Sequence, residues 1–110
     1  MTTRTALGEF EHQVLIAVLR LGGKGYSAPI VIELEARTGR SVSPAAVFIA
    51  LRRLEERGYL RSFKREARAG EGGRGRRTFE VTRSGLAKVQ ESRRIFERLW
   101  RGVLPTPEGS

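Results

Sequence analysis

The chain has 110 residues, 39% of them hydrophobic and 30% charged, which suffices for one small domain with a single core. It contains no run near the ~20 apolar residues of a membrane span and no signal peptide at its start, so we expect a cytoplasmic protein with no membrane partner. The net charge of +9 favours a polyanionic partner, whereas the lack of cysteine excludes disulfides and thiolate metal sites.

Two helices are predicted in the first 40 residues. Apolar residues at three- and four-residue spacing indicate a helix from about Gly8 to Leu21, ended by a pair of glycines. For the second helix we predict Ser27 as the N-cap and Gly39 as the stop. Pro29 is compatible with this helix because amides of the first turn have no intrahelical partner.

The third helix carries the clearest boundary signals. Ser43 is the predicted N-cap, Pro44 occupies the first helical position, and Gly58 follows the last turn. An apolar stripe formed by Val47, Leu51 and Leu54 is predicted to face the core. The opposite face then presents small, apolar and basic side chains that suit a DNA major groove. The predicted base-edge or adjacent backbone contacts of this recognition helix are Ser43, Pro44, Ala45, Phe48, Ile49 and Arg52.

The next segment reads as a two-stranded hairpin with a basic loop. Strands are predicted at 59–64 and 76–81, separated by a glycine-rich loop at 67–75 that we expect to be mobile. Between residues 52 and 83, eleven Lys/Arg and five Glu give +6 of the total charge. We interpret the hairpin as a wing that contacts phosphates or the minor groove, although a solvated hairpin is an alternative. The predicted wing contacts are Lys64, Arg65, Arg68, Arg74, Arg76 and Arg77.

The last helix is predicted from about Ser84 to Trp100, with Thr82 as its cap. Its heptad-like spacing predicts dimerisation through a stripe of Leu86, Val89, Arg93, Phe96, Trp100 and Val103. A second pair, Ile95 and Leu99, could pack on the first helix and leave this stripe to a partner. Alternatively, the helix buries a wide apolar face within its own domain.

Together these elements predict a mainly α fold with a small β wing. We expect a winged helix-turn-helix DNA-binding domain at 1–83, a C-terminal dimerisation helix at 84–103, and a disordered tail at 104–110. In a two-fold homodimer the two recognition helices would enter successive major grooves of double-stranded DNA, about 34 Å apart.

The chain resembles the PadR family of bacterial transcriptional regulators over about residues 7–103. The matching stretches are Leu7-Gly8-Glu9-Phe10-Glu11, Val14-Leu15, Val18-Leu19-Arg20-Leu21, Gly25-Tyr26 with Ile30, Thr38-Gly39-Arg40, Val42-Ser43, Ala46-Val47-Phe48 with Leu51, Arg53-Leu54-Glu55 with Gly58, Gly72-Gly73-Arg74, Arg76-Arg77, and Thr82 with Gly85. The resemblance implies a dimeric winged-helix repressor that binds a palindromic operator near the genes it controls. The short chain is similar to the subfamily with a single C-terminal helix.

The resemblance also implies release by a phenolic or planar hydrophobic effector bound near the dimer interface. On that basis Phe96 and Trp100 are candidates for an effector cavity, with plain interface packing as the alternative. The chain departs from the usual family pattern at Ala45, Phe48 and Ala50, where glycine, tyrosine and a polar residue are common. Because Phe48 lacks a hydroxyl group, a phosphate hydrogen bond at that position does not carry over.

Other functional classes fit the sequence less well. The chain has no Asp or Cys, and its single histidine, His12, lies in the first helix, so no catalytic pair, metal site or cofactor is expected. The glycine-rich stretch 70–75 lacks the lysine and hydroxyl residue of a nucleotide-binding loop. A nonspecific nucleoid or RNA-binding protein, or a dimeric winged-helix protein adaptor, remains as an alternative.

Overall fold

The computed structural model describes residues 7–65 and 76–103, so the predicted loop at 67–75 and tail at 104–110 lie outside it. The described elements, in chain order, are α1 (Glu9–Arg20), β1 (Lys24–Gly25), α2 (Ser27–Thr38), α3 (Pro44–Glu56), β2 (Leu60–Arg65), β3 (Arg76–Val81) and α4 (Arg83–Trp100). This order confirms the predicted winged helix-turn-helix with one C-terminal helix. Within the described ranges, no helix has the length and low polarity needed to cross a bilayer.

The core lies between the first three helices and the inner face of the sheet. Its largest fully buried side chains are Phe79, Leu15, Ile30, Leu51, Leu54, Leu60, Val14, Val18 and Val47. Burying one side chain of this kind contributes about 1.5–3 kcal/mol relative to leaving it exposed. The predicted inward stripe of α3 is therefore confirmed, and Ala50 joins it in the core.

The sheet has three antiparallel strands in the order β1-β3-β2. Phe79 is the partner of both Gly25 in β1 and Ser62 in β2, so the central strand is held on both edges. The short strand β1 was not predicted. It precedes α2 directly, so the chain is still extended at Tyr26, which becomes the N-cap. The prediction of Ser27 as the cap is wrong, because Ser27 is already the first helical residue.

The two ends of α3 form as the sequence predicts. The side chain of Ser43 accepts a hydrogen bond from the Ala46 amide at 3.2 Å, and Pro44 opens the helix. Gly58 has a φ of 83°, a left-handed conformation that side chains other than glycine rarely adopt. These local signals hold the recognition helix between fixed ends.

The first turn of α4 is fastened to the junction of α3 and β2. The hydroxyl group of Thr82 donates to the Gly58 carbonyl at 2.7 Å and accepts from the Gly85 amide at 3.0 Å, so the predicted cap is confirmed. The Thr82 amide donates to the Tyr59 carbonyl at 3.1 Å. A Cβ atom on Gly85 would lie 2.1 Å from that same carbonyl oxygen. Only glycine therefore permits this close approach.

Candidate nucleic-acid interface

The outward face of α3 presents the side chains that the sequence assigns to DNA contact. Ser43, Pro44, Ala45, Ile49 and Arg52 are all exposed at the surface. Their common exposure follows from the burial of the opposite stripe in the core. The helix thus offers a continuous surface that begins at its capped N-terminus and ends near Arg52.

Phe48 differs from the purely outward side chain that the sequence suggested. Its side chain is 44% exposed, and its ring meets that of Phe79 edge to face, with centroids 6.2 Å apart and planes at 81°. Because Phe79 is fully buried, this contact joins the recognition helix to the central strand of the sheet. Only part of the Phe48 ring remains available to a partner.

The predicted wing residues separate into three groups. Lys64 and Arg76 are exposed, and the Arg76 guanidinium lies 5.3 Å from the centre of the Tyr26 ring, within cation–π distance. Arg77 is half-buried and donates to the Ser62 hydroxyl at 2.8 Å, so it is engaged within the protein rather than freely extended. The Arg65 side chain and the whole of Arg68 and Arg74 lie outside the described part of the chain.

A polar chain connects the wing to the recognition helix. The Ser62 hydroxyl, which accepts from Arg77, donates to Oε2 of Glu55 at 2.5 Å. The other oxygen of Glu55, Oε1, lies 3.5 Å from Nη1 of Arg52. We call the six residues that join helix and hairpin the helix–wing seam. They are Phe48, Arg52 and Glu55 of α3 with Ser62, Arg77 and Phe79 of the hairpin.

A second feature is an apolar groove between α1 and α4. It has a volume of about 570 Å³ and is lined by His12, Ile16, Leu19, Leu86, Val89, Gln90, Arg93, Phe96, Glu97 and Trp100. All residues of the heptad-like stripe except Val103 therefore line a groove against α1 of the same chain. Ile95 and Leu99, for which packing on α1 was one alternative, are exposed. Val89, which was assigned to the dimer stripe, is 6% exposed and belongs to the core of its own domain, so little of its side chain is accessible to a partner.

The orientation of α4 follows from the close packing of Gly85 against Tyr59. Because the first turn is held there, only one face of the helix is directed toward α1. Periodicity groups residues onto a face but does not determine which neighbour that face meets. No residue of α4 beyond Val89 is buried. The apolar side chains that are exposed in this helix or just after it are Leu86, Ile95, Phe96, Leu99, Trp100 and Val103.

The groove contains the single histidine of the chain. The His12 ring stacks on Phe96, with centroids 6.4 Å apart and planes at 20°. Burial lowers the pKa of His12 below its ordinary value of 6.5 because the charged ring loses hydration. On the opposite wall, Arg93 forms an ion pair with Glu97 at 3.0 Å. The groove thus combines aromatic and aliphatic walls with a few polar groups, as small-molecule sites do.

Sequence reasoning missed several residues of these two features. His12 was noted only as an unsuitable catalyst, and Ile16 was not assigned any role. Glu55 was named only within a stretch that matches the family, and Ser62 not at all, because nothing in their local sequence distinguishes them from solvated polar residues. The only available signal was the position of Glu55 three residues after Arg52 on one helix, which places the two side chains near each other.

The sequence profile of the transcriptional regulator PadR-like family matches residues 15–91 of the chain. A transcriptional regulator of Mycobacterium tuberculosis, Rv3488, is 41% identical over 69 residues, which are 63% of this chain and 61% of that protein. The matched stretch thus spans less than two thirds of the relative's length. A PadR family transcriptional regulator from Eggerthella lenta has a similar structure, with a TM-score of 0.67, 24% identity, and coverage of 82% of this chain and 76% of that one. A winged-helix DNA-binding protein from STIV also gives a TM-score of 0.67, at 16% identity over 86% of this chain and 95% of that one.

Proposed function

Since this chain belongs to the PadR-like family of transcriptional regulators, we propose that it binds a palindromic operator as a homodimer and represses transcription until an effector releases it. The family is one of regulators rather than enzymes, in line with the sequence. A protein with this role acts on the chromosome, so we place it in the cytoplasm.

The exposed face of α3 is the observation that carries the proposal. It combines small residues at the N-terminus, exposed Ile49 and exposed Arg52, and it stands beside a basic hairpin. Small residues allow close approach to base edges, an aliphatic side chain can meet a thymine methyl group, and arginine pairs with guanine. Lys64 and Arg76 of the hairpin are exposed and would supply phosphate contacts that position the helix without reading sequence.

The exposed apolar side chains at the C-terminal end of α4 favour a second copy of the chain as the partner of this helix. Leu99 is 65% exposed and Trp100 is 54% exposed, and Ile95, Phe96 and Val103 lie nearby on the same terminal segment. Exposed apolar clusters of this kind mark interaction surfaces in monomeric folds. Pairing the α4 helices of two copies would remove these side chains from water and set the spacing of the two recognition helices.

The groove between α1 and α4 is our candidate for the effector site. Its volume of about 570 Å³ falls within the usual range for small-molecule sites, and its walls include Phe96, Trp100 and His12. A planar hydrophobic or phenolic molecule could stack on these rings. If it binds one dimer geometry more tightly than another, it shifts the population away from the one that fits the operator.

The test is binding of the purified protein to the DNA upstream of its own gene and to a scrambled duplex of equal length, across a range of salt. We expect preference for the native duplex and a steep salt dependence, because counterions are released from the phosphates on binding. Equal, salt-dependent binding to both duplexes would favour a nonspecific nucleic-acid protein. Weak binding that salt does not change would favour a protein adaptor.

A further inference from the structure

We propose that Glu55 is a positioning residue for base reading, which acts by orienting Arg52 of the recognition helix relative to Arg77 of the wing. The inference rests on the proposed function, because it assumes that Arg52 reads a base. Glu55 itself would touch no DNA. Its role would be exerted through the two arginines on either side of its carboxylate.

The first observation is geometric. Phe48, Arg52 and Glu55 are spaced at i, i+4 and i+7, so they lie along one side of α3. At one end of this row Phe48 packs on Phe79, and at the other end Glu55 accepts a hydrogen bond from Ser62 at 2.5 Å. The hairpin is therefore attached to the recognition helix at two points, about 10 Å apart along the helix axis at 1.5 Å per residue. Arg52 lies between them.

The second observation is the direction of the hydrogen bonds at the polar attachment. Ser62 is paired with Phe79 across the hairpin, and Arg77 is two residues from Phe79, so the Ser62 and Arg77 side chains share one face of the sheet. The Ser62 hydroxyl accepts from Arg77 and donates its own proton to Glu55. The Ser62 hydroxyl group thus links Arg77 of the wing to the carboxylate of Glu55 on the helix.

The third observation concerns the oxygen that Ser62 does not use. Oε1 of Glu55 is buried and accepts no hydrogen bond from any residue that the structure describes. Nη1 of Arg52 lies 3.5 Å from it, which is an ion-pair distance but too long for a good hydrogen bond. The carboxylate therefore attracts Arg52 without locking it, so the guanidinium remains able to extend toward a base while its starting direction is set.

A purely structural role for Glu55 does not explain why this residue carries a negative charge. A carboxylate beside a DNA-binding surface repels phosphates and lowers affinity for any duplex. A glutamine would have nearly the same shape and would still accept the hydrogen bond from Ser62. The negative charge is explained if it acts on the two arginines of the seam, on Arg52 directly and on Arg77 through Ser62.

The experiment compares Glu55→Gln with Glu56→Gln in the full chain. Glu56 is the next residue on α3, is exposed, and loses the same charge on substitution. A duplex is first selected from a random pool by the wild-type protein, and binding to it and to its scrambled version is then measured for each protein. Both variants should bind the scrambled duplex slightly more tightly. Only Glu55→Gln should lose specificity, by about tenfold in the ratio of the two dissociation constants, the effect expected for one weakened base contact.

A double-mutant cycle separates positioning from general damage. If Glu55 acts through Arg52, the variant Arg52→Ala should lose the same base preference, and adding Glu55→Gln to it should cost no further specificity. Ser62→Ala provides an independent variant that keeps every charge and breaks only the link between Glu55 and Arg77. It should reduce specificity too, and it carries the test if Glu55→Gln does not fold, as judged by circular dichroism.

The outcomes distinguish this inference from the proposed function. Equal specificity ratios for Glu55→Gln and Glu56→Gln, with a wild type that selects a defined duplex, would overturn the role of Glu55 and leave the regulator intact. Additive losses in the double mutant would also overturn it. If the wild-type protein enriches no sequence from the pool, both the proposed operator binding and the inference fail.

Discussion

Replacing Gly85 with alanine should destabilise the fold, although alanine is the better helix former. In an exposed helix the change would stabilise the protein by about 0.8–1.0 kcal/mol. Here the new Cβ would lie 2.1 Å from the Tyr59 carbonyl oxygen and 2.9 Å from its carbon, far inside normal contact distance. The first turn of α4 must then move away from Tyr59 by more than an ångström.

That movement has an energetic cost larger than the gain in helix propensity. It strains or breaks the hydrogen bond from the Thr82 amide to the Tyr59 carbonyl, which is worth about 0.5–1.5 kcal/mol. Overpacking in a tight site adds about 1–3 kcal/mol. We therefore expect a net loss of about 1–3 kcal/mol in the free energy of unfolding, which urea denaturation of the two proteins would measure.

The matched control is Ser84→Ala, one residue earlier in the same turn. Ser84 is exposed, so the added helix propensity there should leave stability unchanged or slightly raised. If Gly85→Ala proved as stable as the wild type, the close approach of α4 to Tyr59 would not exist in solution. The packing of Gly85 on Tyr59 would then not determine the orientation of α4.

Three further predictions concern the groove and α4. Because burial lowers the pKa of His12, the unfolded chain binds a proton more readily than the folded chain as the pH falls below 6.5. The free energy of unfolding of the wild type should therefore decline below this pH relative to that of His12→Gln. The same dependence of stability on pH in both proteins would contradict this. Leu99→Glu should shift a dimer toward monomer in sedimentation without unfolding it, whereas Ala87→Glu, at another exposed position of α4, should not. A planar aromatic dye should quench the fluorescence of Trp100, the single tryptophan of the chain. The variant Ile16→Arg should abolish this quenching because the larger side chain fills the groove. Unchanged quenching in the variant would show that the dye binds elsewhere.

Elements whose signals are local could be predicted from the sequence. The cap at Ser43 and the glycine at Gly58 act within one helical turn, so the bounds of α3 follow from neighbouring residues alone. The same holds for Thr82 at the start of α4. By contrast, β1 is two residues long and exists because it pairs with β3, more than 50 residues away. No local pattern indicates such a strand, and the error at Ser27 followed from missing it.

The candidate site was predictable to a similar degree. Exposure of Ile49 and Arg52 follows from the periodicity of the helix, and basic residues in a hairpin can be counted. The contacts that a side chain makes with distant parts of the chain cannot be predicted from periodicity or from residue counts. The contact of Phe48 with Phe79 and the hydrogen bond of Ser62 to Glu55 depend on how the hairpin lies against α3, which only tertiary packing determines.

The attachment of α4 near one end makes this helix a lever arm. Its only buried residues are Gly85 and Val89, both in its N-terminal half, and 18 residues at 1.5 Å each give it a length of about 27 Å. A tilt of about 10° at the seated end would therefore carry the other end through roughly 5 Å. A molecule as small as a single aromatic ring, wedged between α1 and α4, could thus produce a displacement larger than its own thickness at the far tip.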